Sequence, residues 1–170
     1  MIKKFKFIYI FLLLIFISKT AYSLEPNIFV QSTVNRASQI LSSDITKSEK
    51  IEKLKIIATD TVDIKGIGFY TLGKFRKKLN DAEKKEYTKL FREYFLKSFS
   101  SRLAEYTNPK IDVQSQEKLN DKYTIVSSVL VATDTRPEIK IQWRVFTKDP
   151  DRPLIRDLII EGLSLARTQK

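Results

Sequence analysis

Residues 66–73, Gly66-Ile67-Gly68-Phe69-Tyr70-Thr71-Leu72-Gly73, lead into a segment where Tyr87, Phe91, Phe95, Phe99 and Leu103 recur every fourth position. Side chains four apart stack on one face of a helix, so this row forms one continuous apolar surface, flanked by Leu90 and Tyr94. Asn80-Asp81-Ala82-Glu83 supplies a cap and Asn108-Pro109 a stop, predicting a helix that ends near Tyr106 and runs close to about 40 Å. The apolar face exceeds the roughly 100° stripe that a surface helix needs, so more than one layer must meet it.

Upstream, Phe29, Val30, Val34, Ala37, Ile40 and Leu41 keep a helical period behind Pro26. Thr46-Lys47-Ser48-Glu49 has the form of a capping box, and Ile51, Leu54, Ile57, Ala58 and Val62 supply the buried side of a second helix. Residues 65–79 read as irregular or short-helical. Glycines 66 and 68 mark a backbone that turns tightly or approaches another element.

Downstream of Pro109 the period becomes two. Residues 111–116, 123–133, 138–147 and 154–165 read as strands, with Ile139, Ile141, Trp143 and Val145 alternating against Lys140, Gln142 and Arg144. Short polar links around Pro137 and at 148–153 imply an antiparallel meander. The fold expected is therefore α+β: N-terminal helices on one face of a C-terminal antiparallel meander of four or more strands, with an apolar cleft between.

The N-terminus reads as a secretory signal. Lys3, Lys4 and Lys6 precede an apolar run of 11 residues, Phe7 to Ile17, and Ala21-Tyr22-Ser23 fits a cleavage site. The run is shorter than the roughly 20 residues of a spanning helix, with an uncleaved anchor as the alternative. Cleavage would leave a single domain, residues 24–170. Losing Lys3, Lys4, Lys6 and Lys19 from 31 basic residues leaves 27 against 20 acidic ones, a net charge of +7. That surface favours anionic partners, and export makes nucleic acid the poorest fit. With no Cys, the domain depends on its core alone.

With no His and no Cys, imidazole bases, thiolate nucleophiles and the common zinc sites are excluded. Asp60/Asp63 and Asp149/Asp151 are paired by spacing, but such local pairs are typical of helix ends and turns. The reading is a non-enzyme without cofactor or metal. The residues alone leave two alternatives open: a pocket for something greasy, or an exported interaction module with a fully packed core.

In order and spacing, Gly66-x-Gly68-x-Tyr70-x-Leu72-Gly73-Lys74, Phe91-Arg92-Glu93-Tyr94, Gln142-Trp143-Arg144-Val145 and Ile155-x-Asp157-Leu158-Ile159-Ile160-Glu161-Gly162-Leu163-Ser164-Leu165 resemble the MlaC-type periplasmic phospholipid carriers, the toluene-tolerance auxiliary components of an ABC transporter. The resemblance implies a monomeric shuttle that moves phospholipid between an outer-membrane lipoprotein complex and an inner-membrane transporter complex. It implies acyl tails held by Phe69, Leu72, Phe91, Phe95 and Phe99 from the helices and by Val129, Val131, Ile141, Trp143, Val145 and Ile159 from the sheet. Family members continue for some tens of residues beyond the equivalent of Leu165, so a C-terminal helix that helps close the cavity is expected to be missing.

Overall fold

The computed structural model describes residues 24–169; the expected signal segment, residues 1–23, lies outside them. Helix α1 (Pro26–Ser42), α2 (Lys47–Thr61), α3 (Ile64–Leu72), a 3-10 turn (Gly73–Lys77) and α4 (Asp81–Leu103) precede the sheet. Strands β1 (Ile111–Asn120), β2 (Tyr123–Leu130), β3 (Ile139–Phe146), β4 (Leu154–Ile160) and β5 (Leu163–Ser164) follow, and a short α5 (Leu165–Thr168) ends the described chain. The strands pair in sequence order, each antiparallel to the next.

The caps fall where the sequence puts them. The Thr46 hydroxyl accepts the Glu49 N–H, and the Glu49 carboxylate accepts the Thr46 N–H, closing the first turn of α2. Segment 65–79 resolves into α3 and its 3-10 extension. Asp63 caps α3 by accepting the Gly66 N–H at 2.8 Å, and Gly73 ends it at a positive φ of 53°. β1 runs four residues past the expected Gln116, because a two-residue turn at Asp121-Lys122 lets it pair with β2 along its length. The last expected strand is two. Glu161 and Gly162 take φ of 48° and 81°, the positive pair of a type I′ hairpin, so the chain folds back as β5.

Side-chain alternation gives the sheet an inner face. Val126 lies opposite Trp143, which lies opposite Leu158, with Ser128, Leu130, Ile141 and Val145 on the same side. A bulge at Arg156 sets Val145 against Ile155 while Arg144 still faces Asp157. The extra residue lets Ile155 and Leu158, three apart, both serve the inner face. Phe29, Val30 and Val34 of α1 close over Val126, Leu130, Ile141, Trp143, Val145 and Ile155 to make the core.

The bulged Arg156 also clamps the helical layer to the sheet. Val62 forms a parallel bridge to Ile155, and the Asp63 N–H donates to the Ile155 carbonyl at 2.9 Å. Arg156 Nε donates to the Asp63 carboxylate at 2.6 Å, Nη1 donates to the Tyr123 hydroxyl at 2.7 Å, and the guanidinium lies 4.0 Å from the Phe146 ring centre. Burial alone would lower the pKa of Arg156; the bonds to Asp63 and Tyr123 outweigh it and raise the pKa. Asp63→Ala removes a helix cap and a charged partner together and is expected to cost about 2–4 kcal/mol in chemical denaturation. Asp63→Asn keeps a capping side chain and should recover part of that loss; equal losses in both variants would rule out the cap.

Candidate functional site: an apolar hollow behind the ringed helix

Helix α4 begins with a second reciprocal cap, in which Asn80 accepts the Glu83 N–H at 2.9 Å and Glu83 accepts the Asn80 N–H at 2.8 Å. It rests on α2 and α3 rather than on the sheet. Of its 23 residues only Ser100 is buried. The aromatic row is therefore half-buried: Tyr87 stacks on Phe91 at 5.8 Å, Phe91 on Phe95 at 6.2 Å, and Phe95 on Phe99 at 5.3 Å. Thr71 gives its proton to the Gly68 carbonyl, so the Tyr87 hydroxyl, 2.7 Å away, donates to Thr71 and fixes the outer end of the row.

Gly68 sets the approach of α3 to this row. A Cβ there would lie 2.8 Å from Phe91 Cδ1 and 3.1 Å from its Cγ. Gly68→Ala is expected to displace the Phe91 ring and cost about 1–3 kcal/mol by overpacking. An unchanged denaturation midpoint would show that the ring yields freely.

Two hollows open between α4 and the inner sheet face. The larger, about 1040 Å³ with its mouth included, lies among Val34, Leu54, Ile57, Leu103, Leu130 and Trp143. The other, about 830 Å³ on the same basis, lies among Ile67, Phe91, Phe95, Leu165 and Ala166. Val62, Phe99, Ile155 and Leu158 line both, so they are adjoining chambers with a common wall.

The larger chamber offers few free polar groups, whereas Tyr94, Ser98, Arg102 and Gln169 also line the second, the Tyr94 hydroxyl donating to Gln169 Oε1 at 3.3 Å. In the larger chamber the hydroxyls of Thr33, Ser38 and Thr61 donate to the carbonyls of Phe29, Pro109 and Ile57. Beside the second chamber the buried Asp157 accepts the Ser164 hydroxyl at 2.6 Å and the Ala166 N–H at 3.0 Å, with Arg144 at 3.7 Å. The paired carboxylates are likewise structural. Asp60 pairs with Arg36 at 3.0 Å, Asp63 caps α3, and Asp149 accepts the Asp151 N–H within a turn. Among the described residues, no group of three or more His, Cys, Asp or Glu is placed to hold a metal.

Of the residues expected at the pocket, Phe91, Phe95, Phe99, Ile141 and Trp143 line these chambers. Val145 shares their sheet face but is fully enclosed in the core under α1. Phe69 and Leu72 are half-buried on α3 outside both walls, with Lys65 and Arg76 close to the Phe69 ring. Val131 lies just past β2, its N–H donating to the Lys110 carbonyl. Val129 and Ile159 lie apart from both chambers. They pair with Lys140 and Gln142, which puts them on the opposite sheet face beside a separate hollow with Gln114 and Glu161. Leu54, Ile57, Ile67 and Leu158 were missing from the expected wall. Helical periodicity had marked Leu54 and Ile57 as buried, but it does not separate a packed contact from a cavity lining.

Fold and site together define a small protein with helices on a sheet, built around an apolar hollow rather than a polar active site. The family model described as MlaC protein matches residues 31–170, and the chain belongs to that family. Among solved structures it is similar to a phospholipid-binding protein from Ralstonia solanacearum determined in complex with a phospholipid. The identity is 16%, over 86% of this chain and 83% of that one, with a TM-score of 0.70, a likeness of fold.

Proposed function

We propose that this chain is a non-enzymatic carrier of phospholipid in the periplasm, passing lipid between outer- and inner-membrane complexes of an ABC transport system. The observation that carries this reading is the half-buried row of Phe91, Phe95 and Phe99 facing two adjoining chambers, the larger of which has its Thr33 and Thr61 hydroxyls turned to their own helix backbone. Family membership and the solved relative's bound phospholipid support it. A module with a fully packed core would leave no such hollow. The tails would lie against Phe91, Phe95, Phe99, Ile141 and Trp143, joined by Ile57, Ile67 and Leu158.

The energetics suit a shuttle. Two tails of about 30 methylenes gain over ~20 kcal/mol on leaving water, but in a bilayer they are already out of it. A carrier needs only to match the membrane, and smooth apolar walls with few polar anchors hold cargo without trapping it. Protein purified from a Gram-negative periplasm should bring phospholipid with it, visible by native mass spectrometry and lipid extraction. Protein that emerges free of lipid with its chambers collapsed would refute the carrier reading.

A further inference from the structure

The turn between α3 and α4 has a composition that neither the core nor the hollow uses. Residues 74–78, Lys-Phe-Arg-Lys-Lys, are five consecutive exposed residues, and Phe75 is 55% exposed. Lys74 and Lys78 lie 5.8 and 5.7 Å from the centre of the Phe75 ring. Among the described residues, none of Lys65, Lys74, Arg76, Lys77 and Lys78 makes an ion pair. The nearest carboxylates in sequence are committed elsewhere: Asp81 to Lys84 at 3.3 Å, and Glu83 to the cap of α4. Two of these cations, Lys74 and Lys78, therefore flank a ring that has no place in the core, and Arg76 and Lys77 add two more on the same exposed turn.

We propose that residues 74–78 dock this protein on an anionic lipid surface, Phe75 entering the head-group layer while Lys74, Arg76, Lys77 and Lys78 meet lipid phosphates. An aromatic ring between long cationic side chains suits a bilayer interface, where the ring sits at head-group depth and the charged ends reach water and phosphate. Each cation near an anionic surface strengthens association about fivefold. An acidic protein face would satisfy the charges but would not by itself call for a ring standing free among them. The location adds a reason. Thr71, just before this turn, holds Tyr87, and from Tyr87 the stacked row leads to Phe99 in the wall common to both chambers. Docking here would bring the outer end of the ring row to the membrane.

Vesicle flotation tests this independently of the cargo. The purified protein should float with vesicles of phosphatidylcholine and phosphatidylglycerol in equal parts, stay behind with phosphatidylcholine alone, and be released by high salt. Changing Lys74, Arg76, Lys77 and Lys78 together to Gln should weaken binding more than about a hundredfold. Phe75→Ser should weaken it about tenfold at unchanged charge. All five side chains are exposed, so unchanged melting temperatures are expected. Phe95→Asp, altered in the hollow, should float like the wild type, which separates docking from cargo binding. Wild-type protein that ignores anionic vesicles, or a fourfold variant that floats as well as wild type, overturns the proposal. Retention on immobilised polyglutamate through the same cations, without vesicle binding, would assign the turn to an acidic protein and overturn it equally.

Discussion

Phe95→Asp is expected to give a folded protein that leaves the periplasm without phospholipid. Phe95 stands between Phe91 and Phe99 in the stacked row and lines the second chamber, yet it is only half-buried. The fold does not depend on enclosing it, so the substitution acts on the wall rather than on the core. A carboxylate on an apolar wall must lose its hydration when an acyl chain covers it. An unpaired ion under such cover costs several kcal/mol, so bound lipid should fall by about a hundredfold or more. Leu90→Asp is the control: Leu90 is 54% exposed on the same helix and lines neither chamber, so lipid recovery should hold. Full loading of Phe95→Asp would place the cargo elsewhere, and loss in both variants would point to a general weakening of α4.

Trp143→Ala should have the largest effect on stability. Trp143 is 8% exposed, lies within the core cluster and also faces the larger chamber. Its indole N–H donates to the Ser128 hydroxyl at 2.8 Å, and Ser128 donates in turn to the Ile141 carbonyl at 3.3 Å. Removing a buried Trp side chain costs about 3–5 kcal/mol. In a chain of this size that lowers the melting temperature by about 10 °C or more. Trp143→Phe keeps most of the ring and loses one neutral hydrogen bond, about 1 kcal/mol. A loss below about 1 kcal/mol in Trp143→Ala would mean that the side chain only faces the hollow and supports nothing.

The helix and strand plan was legible because its signals are local. Apolar spacing of four, reciprocal caps at Thr46 and Asn80, and the alternation from Ile139 to Val145 each act within a few residues. The hairpin at Glu161-Gly162 was missed because the apolar residues on both sides of it read as one run. The pocket list was only partly recoverable. Phe91, Phe95 and Phe99 follow from helical spacing, but Val129 and Ile159 required the strand facing, which pairing fixes and composition does not. The bulge at Arg156, which turns both Ile155 and Leu158 inward, leaves no sign in the local residue pattern.

By itself the sequence determined the α+β order, the ringed helix and the absence of imidazole and thiol chemistry, all of which depend on residue identity and short-range spacing. Only the tertiary structure decided whether the rings were core or wall. That outcome depends on where α4 comes to rest: on α2 and α3, held off the sheet, with Gly68 admitting Phe91 and the Asp63–Arg156 clamp joining the layers. Whether an apolar face meets a packed surface or an open space depends on distances between elements far apart in the chain, and no local pattern encodes them.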